Sequence, residues 1–213
     1  MLNYKIKKID NFLNASDFSE LSNYARNLSI NEDITVYHNE IDEKNNIIES
    51  SIDKDLLIKI NKNYFSKALE ILKELNPEKA KLFCYSDFTI IKTKKNSKFP
   101  IHDDTPNKLL SGVVYLYPDH NTGTIFYSNK SGGNETKVDW KVNRAVFFSR
   151  KERETWHSYE ADKDNDRIAL VYNLMTNESN IKDVCKIEKK NYLLCKLRYK
   201  LNPYLFRFFK III

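Results

Sequence analysis

Glycine, proline, cysteine and histidine are all scarce in this chain: four, five, three and four among 213 residues. So few glycines and prolines exclude a collagen-like repeat and leave no Gly/Pro-rich linker to divide the chain. The cysteines Cys84, Cys185 and Cys195 are odd in number and lack C-x-x-C spacing, which argues against a disulfide framework or a zinc knuckle. A reducing, cytoplasmic setting is the expectation. No uninterrupted apolar run approaches the ~18 residues of a membrane span. The stretch Met1–Asp10 lacks the apolar core of a signal peptide. The net charge of +6 is modest and dispersed until Lys186, and no nucleic-acid-binding motif accompanies it, so nucleic acid is not an expected partner.

What is present describes a globular chain. Hydrophobic residues make up 41% and aromatics 13%, enough for a real core at a length that suits one domain. Residues 4–10 alternate like a half-buried strand. Ser16 and Asp17 are candidate N-caps for a helix whose face is Phe18, Leu21, Ala25 and Leu28. Residues 31–50 are polar and weakly periodic and read as loop with one short strand. Leu57, Ile60, Tyr64, Ile71 and Leu75 mark a second helix, which Asn76-Pro77 ends because a residue before proline resists the α region.

From Phe83 the texture turns to β. Strands are expected at 84–94, 98–104, 110–118, 123–128, 143–149, 154–159 and 167–175, with polar turns between them. Asn143 precedes one strand where a turn needs positive φ. Two helices before seven short strands predict a mostly β fold with flanking helices. The form expected is a double-stranded β-helix, a jelly-roll, cupin-like barrel buttressed by the N-terminal helices. It is expected to occupy residues 1–180. Residues 181–213 form a basic amphipathic tail that Pro203 is expected to break. Its apolar positions include Tyr192, Leu193, Leu197, Leu201 and Ile211–Ile213. Either it packs on the domain or a protein partner, which is the preferred reading, or it lies as a peripheral element on an anionic membrane through residues 189–213.

Of the four histidines, two carry a pattern. His102 and Asp104 stand two apart in a predicted strand, so their side chains leave the same face. His157 follows Asp104 after several further strands. Two imidazoles and one carboxylate form the facial triad that holds non-haem Fe(II) with open positions. Asp103 falls on the opposite face and is set aside. His120 lies in a Pro-Asp-His-Asn turn and reads as solvated, and His38 has no visible partner. Ten residues beyond His157, Arg167 opens an apolar strand and offers a planar fork for a carboxylate. Ala169 on the same face leaves room beside it, and Tyr115 could add a hydroxyl from a neighbouring strand or serve as core. Arg150, Lys151 and Arg153 suit an acidic substrate or a solvated loop equally. The polar insertion 128–141 reads as a lid or as an ordinary surface loop.

The ordered set His102-x-Asp104, Gly123-Thr124-x-Phe126, Arg144-Ala-Val-Phe-Phe, Trp156-His157 and Arg167-Ile-Ala-Leu-Val-Tyr resembles the 2-oxoglutarate- and Fe(II)-dependent oxygenases, in particular their prolyl-4-hydroxylase-like branch. Ile9-Asp-Asn-Phe-Leu looks like that family's entry into its first helix, and the resemblance covers roughly residues 6–176. It implies iron held by His102, Asp104 and His157, with 2-oxoglutarate as cosubstrate on Arg167 and Tyr115. Dioxygen would be consumed and succinate and carbon dioxide released as a substrate is hydroxylated. That substrate is a peptidyl residue, a small metabolite, or a glycan or lipid precursor. The carboxylate of Asp104 favours hydroxylation, because related halogenases lack it. Two departures stand out: Ala169 replaces a frequent serine, and Asn143 a usual glycine. The rival readings are a cupin-like metal enzyme that does not use 2-oxoglutarate, and a non-catalytic binding barrel.

Overall fold

The computed structural model describes residue 2 and residues 4–209. In chain order the elements are β1 (Lys7–Ile9), α1 (Ala15–Asn27), β2 (Ile34–Tyr37), β3 (Asn39–Asp42), β4 (Ile47–Ser50), α2 (Lys54–Leu75) and α3 (Pro77–Ala80). Then follow β5 (Tyr85–Thr93), β6 (Lys98–His102), β7 (Lys108–Tyr117), β8 (Ile125–Tyr127), β9 (Thr136–Lys137), β10 (Ala145–Phe148), β11 (Trp156–Glu160) and β12 (Arg167–Met175). Two helices, α4 (Ile181–Glu188) and α5 (Tyr192–Phe209), end the described chain. The larger sheet runs β1-β10-β7-β12-β5-β3-β4, with β2 also paired to β5, and the smaller runs β6-β11-β8-β9. All pairings are antiparallel. The fold is mostly β with helices against the larger sheet.

The helices bury the faces expected of them. Leu21 and Ala25 of α1 and Leu57, Ile60, Tyr64 and Ile71 of α2 enter one core with Phe88, Leu110, Phe147 and Tyr172 of the large sheet. That leaves the sheet's other face for the cleft. The cap of α1 differs from expectation. Asn14 is the N-cap and accepts from the Asp17 amide, while Asp17 sits in the first turn, buried against Tyr64 and Lys59. Asn76 ends α2 and caps α3 through its side chain. Residues 31–50 differ more: they form three strands, β2–β4, that extend the large sheet. Their partner is β5, far along the chain, so their register comes from tertiary pairing and leaves little trace in local periodicity.

Asn143 takes φ of 58°, as its place before β10 demands. Its side chain accepts from the Leu13 amide at 2.9 Å and donates to the Leu13 carbonyl at 2.7 Å. The residue thus joins the entry to α1 to the large sheet. Asn143→Gly keeps the backbone freedom but loses both bonds. It should cost about 1–3 kcal/mol, and Asn143→Ala should cost more because alanine also resists positive φ. Urea denaturation of the two variants checks that order.

The tail is docked rather than loose through its first half. Glu188 is buried with Lys79 (2.6 Å) and with Arg150 (3.0 Å). Arg150 also contacts Glu152, and Glu152 pairs with Arg198 of α5 at 2.7 Å. Arg150 is therefore structural and unavailable to an acidic substrate. Lys151 pairs with Glu154 at 2.8 Å. Burial pushes the Glu188 carboxyl up, but Arg150 and Lys79 outweigh it and hold it below the usual range. Glu188→Ala leaves two buried cations facing each other and should cost about 3–5 kcal/mol, read from urea denaturation. The helix α5 continues through position 203, where a break was expected. A proline removes one backbone bond, which a helix of this length absorbs. Ile211–Ile213 lie outside the described residues. Among the described residues, no helix is long and apolar enough to cross a membrane.

Candidate metal centre

His102 ends β6 and His157 sits in β11, and the two are direct partners in the antiparallel register. Their rings lie 4.1 Å apart, centroid to centroid. Asp104 follows two residues after His102. One ligand atom from each of His102, Asp104 and His157 can be chosen so that all lie within 4.8 Å of one another. The structure thus brings together the three residues that the sequence groups.

The outer contacts fix the tautomers of the two histidines and the charge of the carboxylate. The Nδ1 of His102 lies 3.0 Å from the Pro100 carbonyl, and that of His157 lies 2.9 Å from the Thr155 carbonyl. A carbonyl only accepts, so Nδ1 carries the proton in both rings and Nε2 keeps a lone pair for a metal. Burial, then the neighbouring His157, pushes His102 down to about 3, so it is neutral near pH 7. Burial likewise lowers His157. Asp104 accepts from Lys108 at 2.8 Å and from Ser111 at 2.5 Å. Burial opposes ionisation of its carboxyl, but Lys108 and the two histidines hold it far below the ordinary carboxylate range. Two neutral imidazoles and one ionised carboxylate are the donor set a ferrous ion takes.

Asp103 lies just past the end of β6 and is held by other partners. It accepts from the Arg153 amide and the Thr155 hydroxyl, beside Arg150.

The triad opens on a cavity of about 410 Å³ between the two sheets. Arg167, at the start of β12, lines the same cavity and is only 2% exposed. Its guanidinium lies among three rings, 4.7 Å from Tyr159, 5.2 Å from Trp140 and 5.7 Å from Tyr115. Among the described residues no carboxylate pairs with it, and its Nε has no hydrogen-bond partner. Burial pushes Arg167 down, with the tyrosines opposing. A guanidinium this buried without an anion is costly, and among the described residues none supplies the counter-charge.

Tyr115 lies beside Arg167, but its hydroxyl is engaged: it donates to Thr124 Oγ1 at 3.0 Å and accepts from the Thr124 amide at 2.8 Å. The adjoining Gly123 has a physical reason, since a Cβ there would fall 1.7 Å from the Val138 carbonyl. His120 is exposed. His38 does have a partner: its Nδ1 lies 3.3 Å from Thr89 Oγ1, and it lines the cavity rim with Asp87. Trp140, inside the insertion 128–141, stacks on Tyr115 with centroids 4.4 Å apart. Nothing in the sequence marked His38 or Trp140, which reach the site from distant segments, or Lys108 and Ser111, which reach Asp104 from four and seven residues along the chain.

No family model matches the sequence, and no curated protein matches it. Solved structures do match in fold. A Pseudomonas putida prolyl-4-hydroxylase aligns over 82% of this chain and 94% of its own, with a TM-score of 0.56 and 13% identity. A viral collagen prolyl hydroxylase of Paramecium Bursaria Chlorella virus-1 covers 81% of this chain and 90% of its own, at TM-score 0.54 and 18% identity. The Arabidopsis thaliana dioxygenase for auxin oxidation 1, solved with 2-oxoglutarate, covers 83% and 85% at TM-score 0.62 and 14% identity. The chain therefore has the double-stranded β-helix fold of the 2-oxoglutarate-Fe(II) oxygenases, prolyl-4-hydroxylases among them.

Proposed function

We propose that the chain is an Fe(II)- and 2-oxoglutarate-dependent dioxygenase that hydroxylates a substrate in the cleft, using dioxygen and releasing succinate and carbon dioxide. One observation carries this reading. A triad of metal-ligand type and a buried guanidinium without an anion share one cavity. His102, Asp104 and His157 would hold the iron, which when bound supplies dioxygen activation coupled to oxidation of the keto acid.

The rest is positioning by the chain. The Pro100 and Thr155 carbonyls orient the two imidazoles. Lys108 and Ser111 hold the Asp104 carboxylate in one orientation. Arg167 offers two parallel N–H donors to the distal carboxylate of 2-oxoglutarate, and Tyr115, Trp140 and Tyr159 shield that pair from water. The three aromatic side chains strengthen the ion pair by lowering the local dielectric. The cavity volume falls within the roughly 300–1,000 Å³ of small-molecule clefts, which leaves space for a substrate group beside the cosubstrate.

The test is succinate formation. Protein loaded with ferrous ion and supplied with 2-oxoglutarate and dioxygen should form succinate and carbon dioxide in equal amounts. Chelation of the metal should stop it. No succinate above the metal-free control, under several candidate substrates, would contradict the reading. A cupin-like enzyme that works without 2-oxoglutarate would bind metal in this assay but make no succinate.

A further inference from the structure

We propose that the outward face of α5 docks on an anionic membrane surface. Leu193, Leu194, Leu197, Leu201 and Tyr204 are all exposed, Leu193 at 73% and Tyr204 at 66%. At 100° per residue these five positions form one stripe about three turns long. The opposite side of the helix is occupied: Cys195 is buried, Arg198 pairs with Glu152, and Asn202 lines the cleft. The apolar stripe is thus surplus to the packing of the domain, and the buried ion cluster around Glu188 holds its helix in place.

Charge decides what covers it. Residues 189–213 contain seven Lys or Arg and no Asp or Glu. Lys196 and Lys200 are exposed at the edge of the stripe, Lys200 also reaching Glu178 at 2.8 Å. Lys182 and Lys186 add exposed cations on α4, against Asp183. A second copy of this chain would bring the same cations against these and repel them. A neutral apolar groove would leave the lysines without counter-charge. A bilayer with anionic headgroups takes the leucines into the acyl boundary and the lysines at the phosphate level, where each basic residue strengthens the attraction. Asn202, on the opposite side of the same helix, borders the cleft, so docking leaves α5 between the cleft and the bilayer. The inference does not depend on the oxygenase reading.

The test uses the full chain without added metal, sedimented with vesicles of phosphatidylcholine alone or with about one-third phosphatidylserine. Expected is partitioning at least about tenfold stronger on the anionic vesicles, weakening as salt is raised. The double variant Leu193→Gln/Leu197→Gln should lose about tenfold, and Lys196→Glu should lose binding on anionic vesicles only. All these side chains are exposed, and unchanged circular dichroism and melting temperature confirm the fold. Equal sedimentation with both vesicle types, or undiminished binding by the double variant, overturns the proposal. A concentration-dependent dimer that the double variant abolishes overturns it in favour of a second copy. Retention by an acidic protein without any vesicle binding overturns it in favour of a protein partner. None of these readouts requires turnover, so failure here is separate from failure of the proposed activity.

Discussion

His102→Ala is expected to abolish succinate formation under ferrous iron and 2-oxoglutarate, whether or not a substrate is added. Losing an outer-shell partner of a metal ligand costs about 10–100-fold, so losing one of three ligands must cost more. The structure makes the variant a clean one. His102 ends β6 at the cleft, and its ring contacts are with Phe99 and with His157 itself. Its removal should leave the core and the melting temperature nearly unchanged. His120→Ala, in an exposed turn, is the control and should retain full turnover. Equilibrium dialysis with ferrous ion separates the causes: the His102 variant should lose iron affinity, and the control should not. Turnover by the His102 variant at the unmodified rate would remove this residue from the mechanism.

Arg167 gives the second large effect, and it runs in two directions. Arg167→Gln should raise the KM for 2-oxoglutarate about a hundredfold, since a bidentate charge-assisted pair is worth about 3 kcal/mol. Iron affinity should be unchanged, because Arg167 is not among the three grouped ligands. Arg167→Lys should recover only part of the loss, because an ammonium cannot match the planar fork. Stability should move the other way. The wild-type guanidinium is buried without an anion, so Arg167→Met, similar in length and uncharged, should raise the stability of the ligand-free protein by about 1–3 kcal/mol. With ferrous ion present, added 2-oxoglutarate should stabilise the wild type and leave the Met variant unmoved. Thermal melting with and without 2-oxoglutarate reads both effects. A purely structural arginine predicts the reverse: loss of stability on substitution and no response to the ligand.

The convergence of His102, Asp104 and His157 was legible in the sequence because it needs only two rules. Residues two apart at a strand end stay near one another, although β6 stops at His102 and Asp104 follows it, and a histidine several strands later returns to a neighbouring strand. Asn143 was legible for a similarly local reason, since the left-handed region selects its side chain. The strands β2–β4 were not. They are short and polar, and their order comes from pairing with β5. His38 was hidden with them, which is why its contact with Thr89 could not be foreseen. Arg150 was misread for a related reason. Its partner Glu188 lies 38 residues away, and only the docking of α4 turns a surface-looking cation into a buried one. Trp140 sat in a segment whose composition is that of a loop, yet its indole helps enclose Arg167.

His102, Asp104 and His157 would hold a ferrous ion, and Arg167 would complete a keto-acid site beside it. Anaerobic calorimetric titration of metal-stripped protein tests this arrangement most directly. Saturable binding of one ferrous ion per chain is expected, lost in Asp104→Ala, with tight 2-oxoglutarate binding that appears only after iron is added. Iron binding that Asp104→Ala leaves intact, or 2-oxoglutarate binding indifferent to the metal, would contradict it.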